Sequence, residues 1–276
     1  MTTLQRIVRY LAIALAVCLV VSIVGGILSV IGLAVGWFGS DAVLAEEKEY
    51  RVSAEVTHLE IEIHAATLSI VQGDFQKDEI VIRSNLANLE VREEGGTLYL
   101  TDTAKYPVTY EGATLTLEIP SSAMFQDVKI ETGAGRVDIF ALLVRTLEMD
   151  FGAGDVTFGY LAASEFAKLE GGAGNVCIRD GGIMNFALDL GTGSLELCAA
   201  LEGSCEINCA VGNADIVLLG EKDGYSIDVN KGIGRVTVDG ERLGDGDRYG
   251  NGPAVILLDT GVGSATVEFE QRREHE

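Results

Sequence analysis

From about residue 51 onward the chain alternates apolar and polar positions, broken at intervals by paired glycines. The clearest unit is Gly-x-Gly-x-apolar-x-apolar, as in Gly133-Ala134-Gly135-Arg136-Val137-Asp138-Ile139. With the second glycine as origin, the copies fall at 135, 154, 174, 193, 212, 234 and 263, the fifth a variant that begins Ala210-Val211-Gly212. Their steps are 19, 20, 19, 19, 22 and 29. Position +2 is apolar in every copy (Val137, Val156, Val176, Leu195, Ala214, Val236, Ala265). So is position +4 (Ile139, Phe158, Ile178, Leu197, Ile216, Val238, Val267), and so is −5, from Ile130 to Leu258. Period two turns alternate side chains to one face, so each unit predicts short strands with one buried side. A near-constant step of 19–20 is about one coil of a parallel β-solenoid, whose coils bury their apolar faces on one another.

Earlier coils are less regular: Leu59, Ile61 and Ile63, then Ile80 and Ile82, then Leu98 and Leu100, then Leu115, Leu117 and Ile119. The pattern predicts nine to eleven coils in all. The long last step holds Leu243–Gly252, rich in Gly and Asp, which reads as a protruding loop. The charged stretch 268–276 is placed to blunt an open sheet edge.

Residues 11–38 follow another rule, with 28 positions and no charge. About 20 apolar residues span a bilayer, so this segment predicts one transmembrane α-helix. Tyr10 and Trp37 bracket it at roughly 40 Å, the thickness of a bilayer with its headgroups. Arg6 and Arg9 precede it, while Asp41, Glu46 and Glu47 follow. The positive-inside rule then puts the N-terminus in the cytoplasm and the rest outside. A cleaved signal peptide ending at Val43-Leu44-Ala45 is the rival reading, but the apolar run is about twice a signal's 7–15 residues. The domains expected are a cytoplasmic 1–10, a membrane helix 11–38, a juxtamembrane linker 39–50 and an extracytoplasmic β-solenoid 51–276. Gly32 and Gly36 form a GxxxG pair, a possible homodimer seam within the span.

Charge changes the functional picture. The chain has 42 acidic and 20 basic residues, net −22. That excludes a phosphate-binding surface, so no nucleic-acid partner is expected. No phosphate loop, nucleophile elbow or metal signature occurs, and no cofactor is expected. Position −4 collects Glu131, Asp150, Glu170, Asp189, Asn208, Asn230 and Asp259. Each can cap its own turn through an Asx hydrogen bond. The same oxygens stacked coil on coil are a candidate cation ladder. His58, Glu60, Glu62 and His64 share one strand face, spaced too widely to meet one ion, and read as a solvated face. Register puts Cys205 and Cys209 inward and Cys177 and Cys198 outward, which leaves open only an outer Cys177–Cys198 disulfide. Asp138, Glu196 and Asp215 on the outward +3 row are what a carbohydrate-active β-helix enzyme would use.

Leu115-Thr116-Leu117-Glu118-Ile119-Pro120, Val128–Gly135 and the repeated Gly-x-Gly strands together resemble a bacterial family labelled putative adhesins. The resemblance implies a membrane-anchored β-solenoid ectodomain on the cell surface, and it supplies no catalytic residues. The function expected is a non-catalytic surface interaction or scaffold protein, with an envelope protein or a wall component as partner. The alternatives are an accessory in envelope-stress signalling through the membrane helix, and the carbohydrate-active enzyme.

Overall fold

Period-two sequences do become strands, and those strands wind coil on coil. The computed structural model describes residues 44–73, 79–104 and 112–271. The candidate span 11–38, with Gly32 and Gly36, therefore lies outside the described residues. Among the described residues no helix is long and apolar enough to cross a membrane.

The middle of the chain meets the repeat expectation. β1 covers Leu44–Ser53 and β2 His58–Gln72; β3 is Glu79–Leu86, β4 Leu89–Glu94, β5 Thr97–Asp102 and β6 Thr114–Ile119. β7 runs unbroken from Phe125 to Ile178, followed by β8 (Gly181–Met184), β9 (Phe186–Glu202) and β10 (Ser204–Leu219). β2 pairs in parallel with the first coil of β7, so Ile61 meets Ile130 and Leu68 meets Val137. The last coil of β7 pairs in parallel with β9, and β9 with β10, always glycine on glycine. Every residue at −5, +2 and +4 is buried. Large and small side chains alternate along the stack at −7, where Leu147, Ala167, Phe186 and Cys205 follow one another, all buried. That alternation fills the interior to close packing.

The second glycine of each unit is obligatory. Gly174 has φ +147°, and a Cβ there would lie 1.7 Å from the Gly154 carbonyl oxygen of the layer below. The corner thus brings backbone onto backbone with no room for a side chain.

Both ends depart from the expectation. At the N-terminal end β5 and β6 form one split layer on β2, both parallel to it. Beyond them the pairing turns antiparallel: β4 on β5, β3 on β6, and β1 on β3. Ile80 and Ile82 therefore lie in an antiparallel cap, not in a parallel coil. The Gly95-Gly96 hairpin turn, with φ +62° and +80°, makes that reversal possible. β1 takes up much of the segment read as a linker.

At the C-terminal end the layers are out of sequence order. β11 (Tyr225–Val238), β12 (Glu241–Leu243), β13 (Arg248–Gly250) and β14 (Ala254–Glu270) complete the chain. β14 lies between β10 and β11: Gly263 pairs with Gly212 on one side and with Gly234 on the other. The chain skips a layer and returns to fill it. The segment read as a protruding loop instead lies on the free edge of β11, to which β12 and β13 pair antiparallel. β14, which carries the start of the charged stretch as far as Glu270, lies inside the stack, and β12 and β13 cover the edge of β11. The result is one all-β mixed sheet, parallel in its middle and antiparallel at its margins.

Candidate functional site

Stacking turns each sequence position into a row, and one pair of rows borders a groove. The groove, about 670 Å³, crosses five successive layers and runs along the stack. Ile63, Thr132, Phe151 and Gly171 line it at position −3. Gly171 offers no side chain, and the Phe151 ring leans into its place: a Cβ on Gly171 would sit 2.1 Å from that ring. One bank is the acidic row, Glu62, Glu131, Asp150, Glu170 and Asp189. The other is the first-glycine row, Gly133, Gly152, Gly172 and Gly191, which has no side chains to close the groove; in the first layer His64 takes that place. At about 4.8 Å per layer the groove is roughly 19 Å long.

The acidic row is the −4 row read from sequence, extended by Glu62, which pairs in register with Glu131. Register brings Glu170 to Asp189, Asp189 to Asn208, Asn208 to Asp259, and Asp259 to Asn230. Turn capping is not what the row does. Among the described residues none of its side chains accepts a backbone N–H. Its bonds run along strands and between layers. Lys129 Nζ lies 2.5 Å from Glu131 Oε1, and Lys168 Nζ 2.8 Å from Glu170 Oε1. Asn208 Nδ2 donates to Asp189 Oδ1 at 3.3 Å. Burial first, then the neighbouring Glu170 carboxyl, push the Asp150 carboxyl above its ordinary value. The Lys168 ammonium holds Glu170 below its own. Among the described residues no three His, Cys, Asp or Glu side chains are arranged to hold one metal ion.

The histidines are not a bare solvated face. His58 Nε2 lies 3.0 Å from Asp127 Oδ2, its register partner's carboxylate. His64 Nδ1 lies 3.4 Å from Asp102 Oδ2, whose side chain is 1% exposed. His64 Nδ1, Asp102 Oδ2 and Thr132 Oγ1 are all buried without a hydrogen-bond partner in the protein. Sequence reading missed this end of the groove. Thr132 was the available signal: a hydroxyl at the inward −3 position, which Phe151, Leu190 and Cys209 fill with apolar side chains and only Thr260 repeats.

The opposite side of the corner carries a second, more polar groove of about 460 Å³ that includes Asp138 and Glu196. Its +1 row is tied layer to layer. Asn175 Nδ2 donates to Asp155 Oδ1 at 2.8 Å, and Ser194 Oγ to Asn175 Oδ1 at 2.6 Å. Of the candidate catalytic acids, Glu196 and Asp215 are register partners. Asp138 stands three layers from Glu196, roughly 14 Å away at 4.8 Å per layer. That exceeds the 5–10 Å or so over which paired carboxylates share a glycosidic bond. The four cysteines among the described residues are free thiols, so the outer disulfide left open by the sequence is not formed. Burial pushes the Cys209 thiol up to about 11.

The family profile described as Toastrack DUF4097 matches residues 56–243. The chain belongs to the Toastrack DUF4097 family. The matched stretch holds the whole groove, the split N-terminal layer and β11, but not β14. No curated protein matches the chain. Among solved structures, a "putative cell adhesion protein" from Clostridium sporogenes is 14% identical, covers 82% of this chain and 100% of its own, and has a TM-score of 0.37. A "putative adhesin" from Parabacteroides distasonis is 11% identical over 82% of this chain and 98% of its own, with a TM-score of 0.45. A "putative lipid binding protein" from the same species is 10% identical over 82% and 97%, with a TM-score of 0.25. Toastrack DUF4097 membership brings no assigned chemistry, so the rows and grooves of this chain carry the functional argument.

Proposed function

We propose that the chain is a membrane-anchored, non-catalytic surface interaction protein, held by residues 11–38 and presenting a β-solenoid that binds an envelope protein or a wall component. The observation that supports this is the polar row tied layer to layer. Side chains from Asp155, Asn175 and Ser194 hold one another in place, and the Ser264 hydroxyl donates to Asn213 Oδ1 at 2.7 Å further along. A surface fixed in this way loses little side-chain freedom on binding, which favours a repeating or extended partner. The separation of Asp138 from Glu196 rules out that pair for the polysaccharide-cleaving alternative, which would rest on the register partners Glu196 and Asp215. A signalling role would rest on residues 11–38, outside the described residues.

The test is co-sedimentation of the full chain, in neutral detergent, with isolated cell-wall sacculi and with envelope-protein fractions. The reading expects retention by one of these. Asn175→Lys/Ser194→Lys should weaken it about tenfold by breaking the tied row. No retention by either would overturn the reading. Release of soluble sugar that stops on Glu196→Gln would replace it with the enzyme.

A further inference from the structure

The groove at the glycine corner sets five carboxylates in a line, on five successive layers, with two lysines to offset them. Lys129 and Lys168 pair with Glu131 and Glu170, leaving Glu62, Asp150 and Asp189 without a cation. A line at about 4.8 Å per step suits a particular ligand shape. A compact divalent ion meets at most two neighbouring carboxylates of a straight row, and no set of three converges. A chain of ammonium groups separated by three- or four-carbon stems meets all of them, because a three-carbon stem spans about one layer step of roughly 4.8 Å. Each contact with an exposed carboxylate is weak alone, and linking them makes the sum strong.

The floor and the far bank fit the rest of such a molecule. Ile63 and Phe151 offer apolar surface to methylene stems, as protein surfaces do to the stems of lysine side chains. The glycine bank leaves that side open from Gly133 to Gly191, with His64 at its end. Independently of the acids, the groove wall holds Thr132, 7% exposed, its hydroxyl without a partner. A buried hydroxyl without a hydrogen bond is costly. One χ1 rotation exchanges the Thr132 hydroxyl with its methyl and presents an acceptor to an N–H donor lying in the groove.

We infer that the groove bounded by Glu62, Glu131, Asp150, Glu170 and Asp189 is a binding site for a linear oligoamine, laid along the stack with one ammonium group per layer and one of them on Thr132. The site is separate from the polar row proposed to meet an envelope partner, so each reading can fail alone.

The test is isothermal titration of the full chain, in neutral detergent at low ionic strength, with spermine and with putrescine. One spermine should bind per chain, about tenfold or more tighter than putrescine, because four ammonium groups use four layers and two use only two. Asp150→Asn/Glu170→Gln should weaken spermine about tenfold. The charge-matched pair Glu90→Gln/Glu93→Gln, exposed on β4, should change it less than about twofold. Thr132→Val, nearly isosteric and folded, should cost about threefold. Equal weakening by both charge pairs would reduce the effect to net charge and overturn the site. So would equal affinity for spermine and putrescine, or no binding of spermine at all.

Discussion

The middle of the wound sheet and its C-terminal end are built from the same repeat, yet only the middle keeps sequence order. From Gly135 to Gly212 the unit returns every 19 or 20 residues, and each coil lies on its predecessor. Where the step lengthens to 22 and then 29, the chain skips a layer and comes back to fill it with β14. At the N-terminal end a run without Gly-x-Gly units produces antiparallel strands. The repeat dictates which side chains face inward and where the backbone turns. The spacing dictates which coil is next. A near-constant 19–20 residues is just enough for one circuit, so no residues remain for a detour.

The sharpest way to break this comparison is a methyl group at the corner. Gly174→Ala puts a Cβ 1.7 Å from a backbone oxygen at φ +147°. It should cost about 3–5 kcal/mol in a denaturant melt. Gly182→Ala, with nothing within 4 Å, should stay within about 0.5 kcal/mol. Equal costs would show that the corners are looser than the stack requires.

Core truncations compare the inserted layer with the edge cap. Leu258, fully buried in β14, has layers on both sides; Leu243, 6% exposed in β12, lies on the last edge. Leu258→Ala should cost about 3–5 kcal/mol and Leu243→Ala about 2 kcal/mol, read by the same melts. The reverse order would place β14 at the margin.

Thiol labelling gives a smaller readout. In a Cys18→Ser background, Cys177 and Cys198 should react in the folded chain. Cys205 and Cys209 should react only on unfolding, since both are buried and burial raises both thiols. Four equally fast thiols would deny the inward rows.

The smallest effect is electrostatic. The Asp150 carboxyl is raised in the folded chain, so its charged form opposes folding above its ordinary value of 3.8. Asp150→Asn should raise the melting temperature slightly at pH 7. The gain should vanish near pH 3, where the carboxyl is protonated both folded and unfolded. Glu170 has the opposite sign: lowered by Lys168, it stabilises above 4.5 and loses that contribution as pH falls. A gain that persists at pH 3 would mean that charge is not the cause.

Much of this was legible in the chain. Period-two runs mark Ile130, Val137 and Ile139 as inward, and the Gly-x-Gly pairs mark the corners, because both follow from local backbone geometry. The order of layers was not legible. The units at Gly212, Gly234 and Gly263 present the same corner glycine and the same apolar rows at −5, +2 and +4, so each is a chemically acceptable neighbour for the others. The acidic row was legible as a row, but its groove depends on Gly171 facing Phe151 across two layers. The His64–Asp102 contact was hidden because β5 returns to lie on β2 only through the cap.

The layer order is the central claim, and crosslinking tests it most directly. In a chain whose native cysteines are replaced by serine, Asn213→Cys/Ser264→Cys joins register partners of β10 and β14. Asn213→Cys/Arg235→Cys joins the coils that would touch if the stack followed sequence order. A short bis-thiol crosslinker should bridge the first pair in the folded chain and not the second, with the products read by mass spectrometry. Efficient bridging of the second pair and not the first would contradict the skipped layer and restore a stack wound in simple sequence order.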